Sequence, residues 1–229
     1  MTSTQHPYWF VIISFALALT PLLVGLFTSF MKIHIVLSFF RSGLGAQQVP
    51  GGLVLFGISV ALTLSVMHPT LESFYSQLQK FPLEKLATTP QKVTQDEISN
   101  VLSPWKEFLT RHVGAREKEV FQEFVERPEV SMGNEEKVSQ AGGELKWTVL
   151  LPAFIVTELK EAFLIGFVIM IPFLVIDLVV ANILAGIGMF MVSPVMISLP
   201  LKIALFTFAD GWLLLTTGIV QSYSIGGGI

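Results

Sequence analysis

From Thr157 to Leu215 the chain reads TELKEAFLIGFVIMIPFLVIDLVVANILAGIGMFMVSPVMISLPLKIALFTFADGWLLL, an almost continuous apolar stretch with Asp177, Lys202 and Asp210 set deep inside it. Apolar sequence of this length confines the backbone to helices that enter or cross a bilayer, since lipid offers no partner to an unpaired amide or carbonyl. The three charges constrain the fold further. An ionised side chain at the centre of a hydrocarbon span costs about 2.5 to 3.5 kcal/mol on insertion scales, so each must meet a partner, water or another subunit.

Two other apolar runs accompany it: Tyr8 to Met31, 24 residues without a charge, and Gly51 to Met67, 17 residues bounded by Pro50 and Pro69. Both are near the length a helix needs to cross about 30 Å of hydrocarbon. Charge is segregated from them, because 23 of the 31 formal charges lie between Glu72 and Lys146 and the remaining eight are balanced in sign. The pattern predicts an all-α membrane-associated fold, two kinked helical hairpins making four hydrophobic helices around a polar, mostly helical insert. The expected division is an N-terminal hydrophobic hairpin over 1–69, the insert over 70–147, a C-terminal hairpin with a Met-rich tip over 148–223, and a flexible tail over 224–229. The first run has no basic residue before Lys32 and no small-residue cleavage site, which reads as a retained helix rather than a signal. With Lys32 and Arg41 in the loop after it and Lys202 near the second short connection, the positive-inside rule places both connections on the cytoplasmic side and the N-terminus and insert outside.

The third run, Ala162 to Met191, spans about 45 Å as one straight helix, and Pro172 predicts a kink near Ile171. Between Leu164 and Ile183 there are 14 Leu, Ile, Val or Phe residues. They favour insertion by about 6 kcal/mol, against about 3 for Asp177 and more for Asn182 and Pro172. So narrow a balance suits a helix that ends in a protein assembly. Gly57, Ala61 and Ser65 form one row of small residues, and Ala181 and Ala185 begin another beside Gly186 and Gly188. Such rows allow close backbone approach, within one bundle or between copies.

In the insert, Ser103 followed by Pro104 predicts a helix start, after which Trp105, Phe108, Leu109 and Val113 share a face. Val120, Phe121, Phe124 and Val125 repeat the pattern up to Pro128. Arg127 to Gly143 and Thr88 to Gln95 read as mobile loops, and Gly226 to Gly228 as flexible.

Net charge of -3 and the lack of a basic run interleaved with aromatics argue against nucleic acid, and the absence of cysteine excludes disulfides and thiolate chemistry. His6, His34, His68 and His112 have no metal-ligand spacing and read as solvated or capping residues; no metal or cofactor is expected. Glu158 and Glu161 flank Lys160 as a helix-end charge cluster, and no nucleophile or phosphate-binding motif points to an enzyme. A hairpin turning at Ser193 and Pro194 sets Asp177 level with Asp210 and Lys202 level with Ala185, about 12 Å along the helix from Asp177. No ion pair closes across that offset. Two solutions remain: paired carboxylates serving a proton-coupled small-solute transporter, or a staggered neighbour that brings its Lys202 to Asp177. The turn itself is apolar and rich in methionine, a flexible residue suited to an adaptable seal.

FTSFMKIHIVLSFFRSGLGAQQVP (Phe27 to Pro50), LLPAFIVTELKEAFLIGFVIMIPFLVIDLVVANIL (Leu150 to Leu184) and GMFMVSPVMISLPLKIALFTFADGW (Gly188 to Trp212) closely resemble the FliP/SctR family, core export-apparatus subunits of flagellar and virulence-associated type III secretion systems. The resemblance implies a non-enzymatic, pore-forming subunit through which unfolded proteins cross the bacterial inner membrane. It implies a homopentamer in a helical, closed export gate with S-type and T-type proteins and a U-type switch protein at its base, multi-pass by sequence but raised toward the periplasm. It assigns Met189, Phe190 and Met191 to a methionine gasket, with Phe190 standing where the family has methionine. It also makes Asp177 and Lys202 an inter-subunit ion pair, with Asp210 a further buried charge. The lack of a cleavable signal is more similar to the virulence branch.

Overall fold

A computed structural model describes residues 8–45, 50–80, 95–126 and 146–224. Among them there are eight helices and no strand: α1 (Tyr8–Phe27), α2 (Phe30–Leu44), α3 (Gly52–Lys80), α4 (Gln95–His112), α5 (Ala115–Glu126), α6 (Trp147–Gly186), α7 (Pro194–Phe208) and α8 (Gly211–Ser224). The expected all-α architecture with apolar spanning helices is what forms. By length and composition α3 and α6 can each cross a membrane, and the number rises to four if the bent pairs α1/α2 and α7/α8 each count as one span. Residues 1–7, 46–49, 81–94, 127–145 and 225–229 lie outside the described residues, and with them His6, the loops read at Thr88 and Arg127, and the Gly226 to Gly228 tail.

The core forms around α2, whose most extensive contact is with α6. Ile33, Val36, Leu37, Phe40 and Leu44 recur at three- and four-residue spacing on one face, and all are buried. They meet Leu150, Ala153, Phe154 and Phe173 of α6, Leu55 and Met67 of α3, and Leu215, Ile219 and Tyr223 of α8. Close approach of α2 and α6 depends on Gly166: a Cβ there would lie 2.5 Å from Cδ2 of Phe39. Phe40 anchors an aromatic cluster with Phe173, Phe206 and Trp212 at centroid distances of 6.0, 4.5 and 5.2 Å. The opposite side of α6 has no such cover. Phe163, Leu164, Phe167, Val168, Leu174 and Leu178 are exposed, an apolar band that needs lipid or another subunit.

The first run does not continue to Met31 as one helix. It breaks at Thr28 and Ser29, where the axis turns by 81°. The Thr28 hydroxyl donates to the Val24 carbonyl at 2.5 Å and accepts the Phe30 amide at 3.2 Å, closing the end of one helix and the start of the next. The Trp105 indole, from the insert, donates to the Phe27 carbonyl at 2.7 Å and satisfies another terminal group. Lys32 and Arg41 therefore lie in α2, and Lys202 in α7, rather than in connections. Lys32 and Lys202 are also buried, whereas Arg41 is half-buried.

Other boundaries shift as well. The second run extends through Pro69 to Lys80, beyond the expected domain edge. The third begins at Trp147 and ends at Gly186, one 40-residue helix that continues through both Pro152 and Pro172. The helix expected to start at Ser103 starts at Gln95 and passes through Pro104. Pro104 has no N–H for the carbonyl four residues back, Asn100, and the Ser103 hydroxyl donates to that carbonyl instead at 2.8 Å. The predicted inward face downstream is correct, with Phe108, Leu109 and Val113 buried, whereas the second stripe leaves Val120 and Phe124 exposed.

Candidate functional site

The connection between α6 and α7 is an apolar tip held on two rigid helices. Gly188 stands in the left-handed region at φ 81°. Its amide donates to the Ala185 carbonyl at 3.1 Å, and the Met189 amide reaches back to the Leu184 carbonyl at 2.9 Å. This is the Schellman arrangement, which satisfies the last carbonyls of α6 and fits glycine because a Cβ is strained there. On the other side Pro194 opens α7, where its missing N–H and fixed φ suit the first turn. Between these stops Met189 is 45% exposed, Phe190 80% and Met191 100%. The three expected gasket residues are thus together at the apex, directed away from the chain's own core.

Below the tip, Asp177 of α6 and Lys202 of α7 form an ion pair within one chain, Oδ2 to Nζ 2.7 Å. The expectation that no ion pair closes within one hairpin does not hold, and the width of the tip is the reason. Residues 187–193 span the gap between the helices, so the hairpin is centred near Phe190 rather than on Ser193 and Pro194. Asp177 stands nine residues before the end of α6 and Lys202 eight after the start of α7, which brings them level. Ser198, one turn nearer the tip, donates to Oδ1 of Asp177 at 2.5 Å. Lys202 also donates to the Gly43 carbonyl at 2.9 Å, placing a cation on the unsatisfied C-terminal end of α2. One buried ammonium therefore joins α2, α6 and α7.

Asp210 is exposed, not buried. It sits at the 66° bend between α7 and α8 with φ 49°, a conformation that aspartate and asparagine tolerate better than most residues. Its carbonyl accepts the Leu214 amide at 3.1 Å and so begins α8. With Asp177 engaged by Lys202 and Ser198, and Asp210 marking a helix break, the paired carboxylates of the transporter reading are not assembled. The small-residue row Gly57, Ala61 and Ser65 faces outward, while Leu55, Ser59, Thr63 and Met67 form the inner face of α3. Ala181 is half-buried and Ala185 exposed, so neither row is spent on packing within the chain.

A second charged cluster escaped the sequence reading. Lys32 Nζ lies 2.6 Å from Oε2 of Glu161, 3.4 Å from Oε1 of Glu158 and 3.7 Å from the centroid of the Tyr223 ring. Tyr223 hydrogen-bonds Glu158 and closes the group from α8. The signal was present in the sequence: Glu158 and Glu161 are three apart and share a helix face, while Lys160 points elsewhere, to Glu117 of α5 at 3.0 Å. That bond holds the Glu117 carboxyl below the usual carboxylate range. The described histidines have ordinary partners: His34 meets Ser59 at 3.1 Å, His68 stands 3.6 Å from Glu72, and His112 meets the Phe108 and Tyr223 carbonyls.

Comparison with known proteins gives a consistent result. Residues 13–219 match the FliP family. The chain is 39% identical over 213 residues to Yop proteins translocation protein R of Yersinia pestis, covering 93% of this chain and 94% of that one. It is 39% identical over 207 residues to flagellar biosynthetic protein FliP of Bacillus subtilis, covering 90% and 87%. Identity to virulence protein YscR of Salmonella typhimurium is 35% over 224 residues, covering 98% and 100%.

Proposed function

The chain belongs to the FliP family, with relatives in virulence-associated type III secretion and in flagellar export, and from that membership we propose that it is a pore-forming core subunit of an export gate. In this reading several copies, five by family resemblance, surround an axis with the S-type, T-type and U-type export proteins. Their tips meet there, and Met189, Phe190 and Met191 form an apolar seal through which unfolded substrate passes at the bacterial inner membrane. No catalytic step is assigned to any residue.

The observation that carries this is the exposed Met-Phe-Met apex on a hairpin whose ends are capped and whose base is pinned by a buried ion pair. An apolar tip so firmly positioned and so poorly covered fits contact with other chains. The exposed rows on α3 and α6 support packing between copies in the same way. The absence of cysteine provides the test, since Met191→Cys introduces a single thiol. With the gate assembled and a substrate stalled in transit, that thiol is expected to cross-link to the substrate and to the same position of neighbouring copies. Cross-links to neither, in an assembly that still exports, would remove the tip from the conduit.

A further inference from the structure

Charge pairing within α2, α6, α7 and the bend that follows leaves two side chains over. Lys32 serves Glu158 and Glu161, Lys160 serves Glu117 of α5, and Lys202 serves Asp177. Arg41 and Asp210 remain, one of each sign, and neither side chain has an ion pair or hydrogen bond among the described residues. Arg41 is half-buried in the last turn of α2, whose carbonyl end already holds the Lys202 ammonium at Gly43, so a second cation there gains little from the helix dipole. An uncompensated guanidinium in such surroundings is costly, and its planar fork suits a carboxylate.

The two residues lie at one level along the chain's long helices. Phe40, next to Arg41, packs against Phe206 and Trp212 at 4.5 and 5.2 Å between centroids, and these flank Asp210 in sequence. They leave the core in different directions, however. Nη1 of Arg41 lies 3.9 Å from a Cβ placed on Gly52, at the start of α3, while Asp210 is exposed at the bend between α7 and α8. Each stands next to uncovered apolar surface, Leu53 at 84% exposure on one side and Phe208 at 89% on the other, which would exclude water from a bond between those sides.

Resting on the reading that several copies surround an axis, we infer that Arg41 of one copy pairs with Asp210 of the next. Identical chains arranged head to tail join two different patches, so each chain must carry both halves of every contact. One leftover cation and one leftover anion at the same level meet that requirement. Each copy then satisfies both charges without altering the pairs inside it.

Charge exchange tests the pair on the full chain produced with its export-apparatus partners, the number of copies per complex being read by native mass spectrometry. Arg41→Asp alone and Asp210→Arg alone should each lose the multi-copy complex that the unaltered chain forms. The two substitutions on one chain should restore it. A mixture of the two single variants should restore it as well, save at one contact where the copy number is odd, because each supplies the charge its neighbour lacks. The mixture cannot restore a pair made within one chain. Equal assembly by both single variants, or a loss that neither the exchange nor the mixture repairs, overturns the pair and leaves the gate reading standing. Rescue by the exchange without rescue by the mixture overturns it too, placing the bond inside the chain. An unaltered chain that stays single with its partners present overturns the gate reading itself, and the pair with it.

Discussion

Replacing Asp177 by asparagine is expected to harm the chain more than replacing Lys202 by methionine, although the two side chains form one ion pair. Lys202 is 1% exposed and Asp177 31% exposed. Asp177→Asn leaves the buried ammonium with the Gly43 carbonyl and no counter-charge, and breaking a buried pair from one side costs about 3 to 5 kcal/mol. Lys202→Met refills most of the stem volume and leaves a carboxylate that reaches water and keeps the Ser198 hydroxyl, so the loss is about 1 to 2 kcal/mol. The double variant removes both charges and should fall near the milder single one, a coupling of about 3 to 5 kcal/mol, equal to the cost of Asp177→Asn alone. Unfolding of the full chain in detergent, followed by far-ultraviolet circular dichroism, measures all three against the unaltered protein. If Lys202→Met proves the more damaging, or if the two changes add within about 0.5 kcal/mol, the intrachain pair is not what pins the hairpin.

Gly188→Ala should cost about 1 to 2 kcal/mol, because alanine resists a φ of 81°, and should speed hydrogen exchange at the Met189 amide that closes α6. Unchanged exchange there would show that the tip is not held by its helix cap. Glu117 gives a pH dependence: its folded value is lowered by the hydrogen bond from Lys160, so the contribution is complete above the unfolded carboxylate value and fades as pH falls through the lowered one. Glu117→Gln should therefore flatten the acid side of a stability-versus-pH curve and leave the neutral side with the same slope; an acid limb as steep as before would count against the pairing.

Much of this architecture was legible in the chain because apolar runs near 20 residues have few alternatives to helix. The apolar pattern alone carried the third run to Met191 and turned the hairpin at Ser193 and Pro194; the resemblance singled out Met189, Phe190 and Met191, and the stop at Gly188 came from the structure. The partner of Lys202 was not legible. It depended on how wide the tip is, and moving the hairpin centre by three or four residues exchanges Ala185 for Asp177 as the level position. The break at Thr28 was hidden for a different reason. A single hydroxyl serves both helix ends, and nothing in the apolar pattern of Phe27 to Met31 announces it. Ser103 and Pro104 show the converse, a start signal overridden when the serine hydroxyl replaces the amide that proline lacks. The Lys32 cluster required tertiary information, since its members come from three helices and its bonds join residues 65 to 129 apart in the chain.

The unbroken length of α6 has a mechanical consequence. Lys160, tied to α5, and Gly186, where the tip begins, are 26 residues apart on one helix, about 39 Å at 1.5 Å per residue. A lever of that length turns a tilt of about 5° at its insert end into a displacement of about 3 Å at the apex, comparable to the width of a methyl-bearing side chain. Small changes in how the polar insert seats on α6 are thereby amplified into displacements of a few ångströms at Met189, Phe190 and Met191.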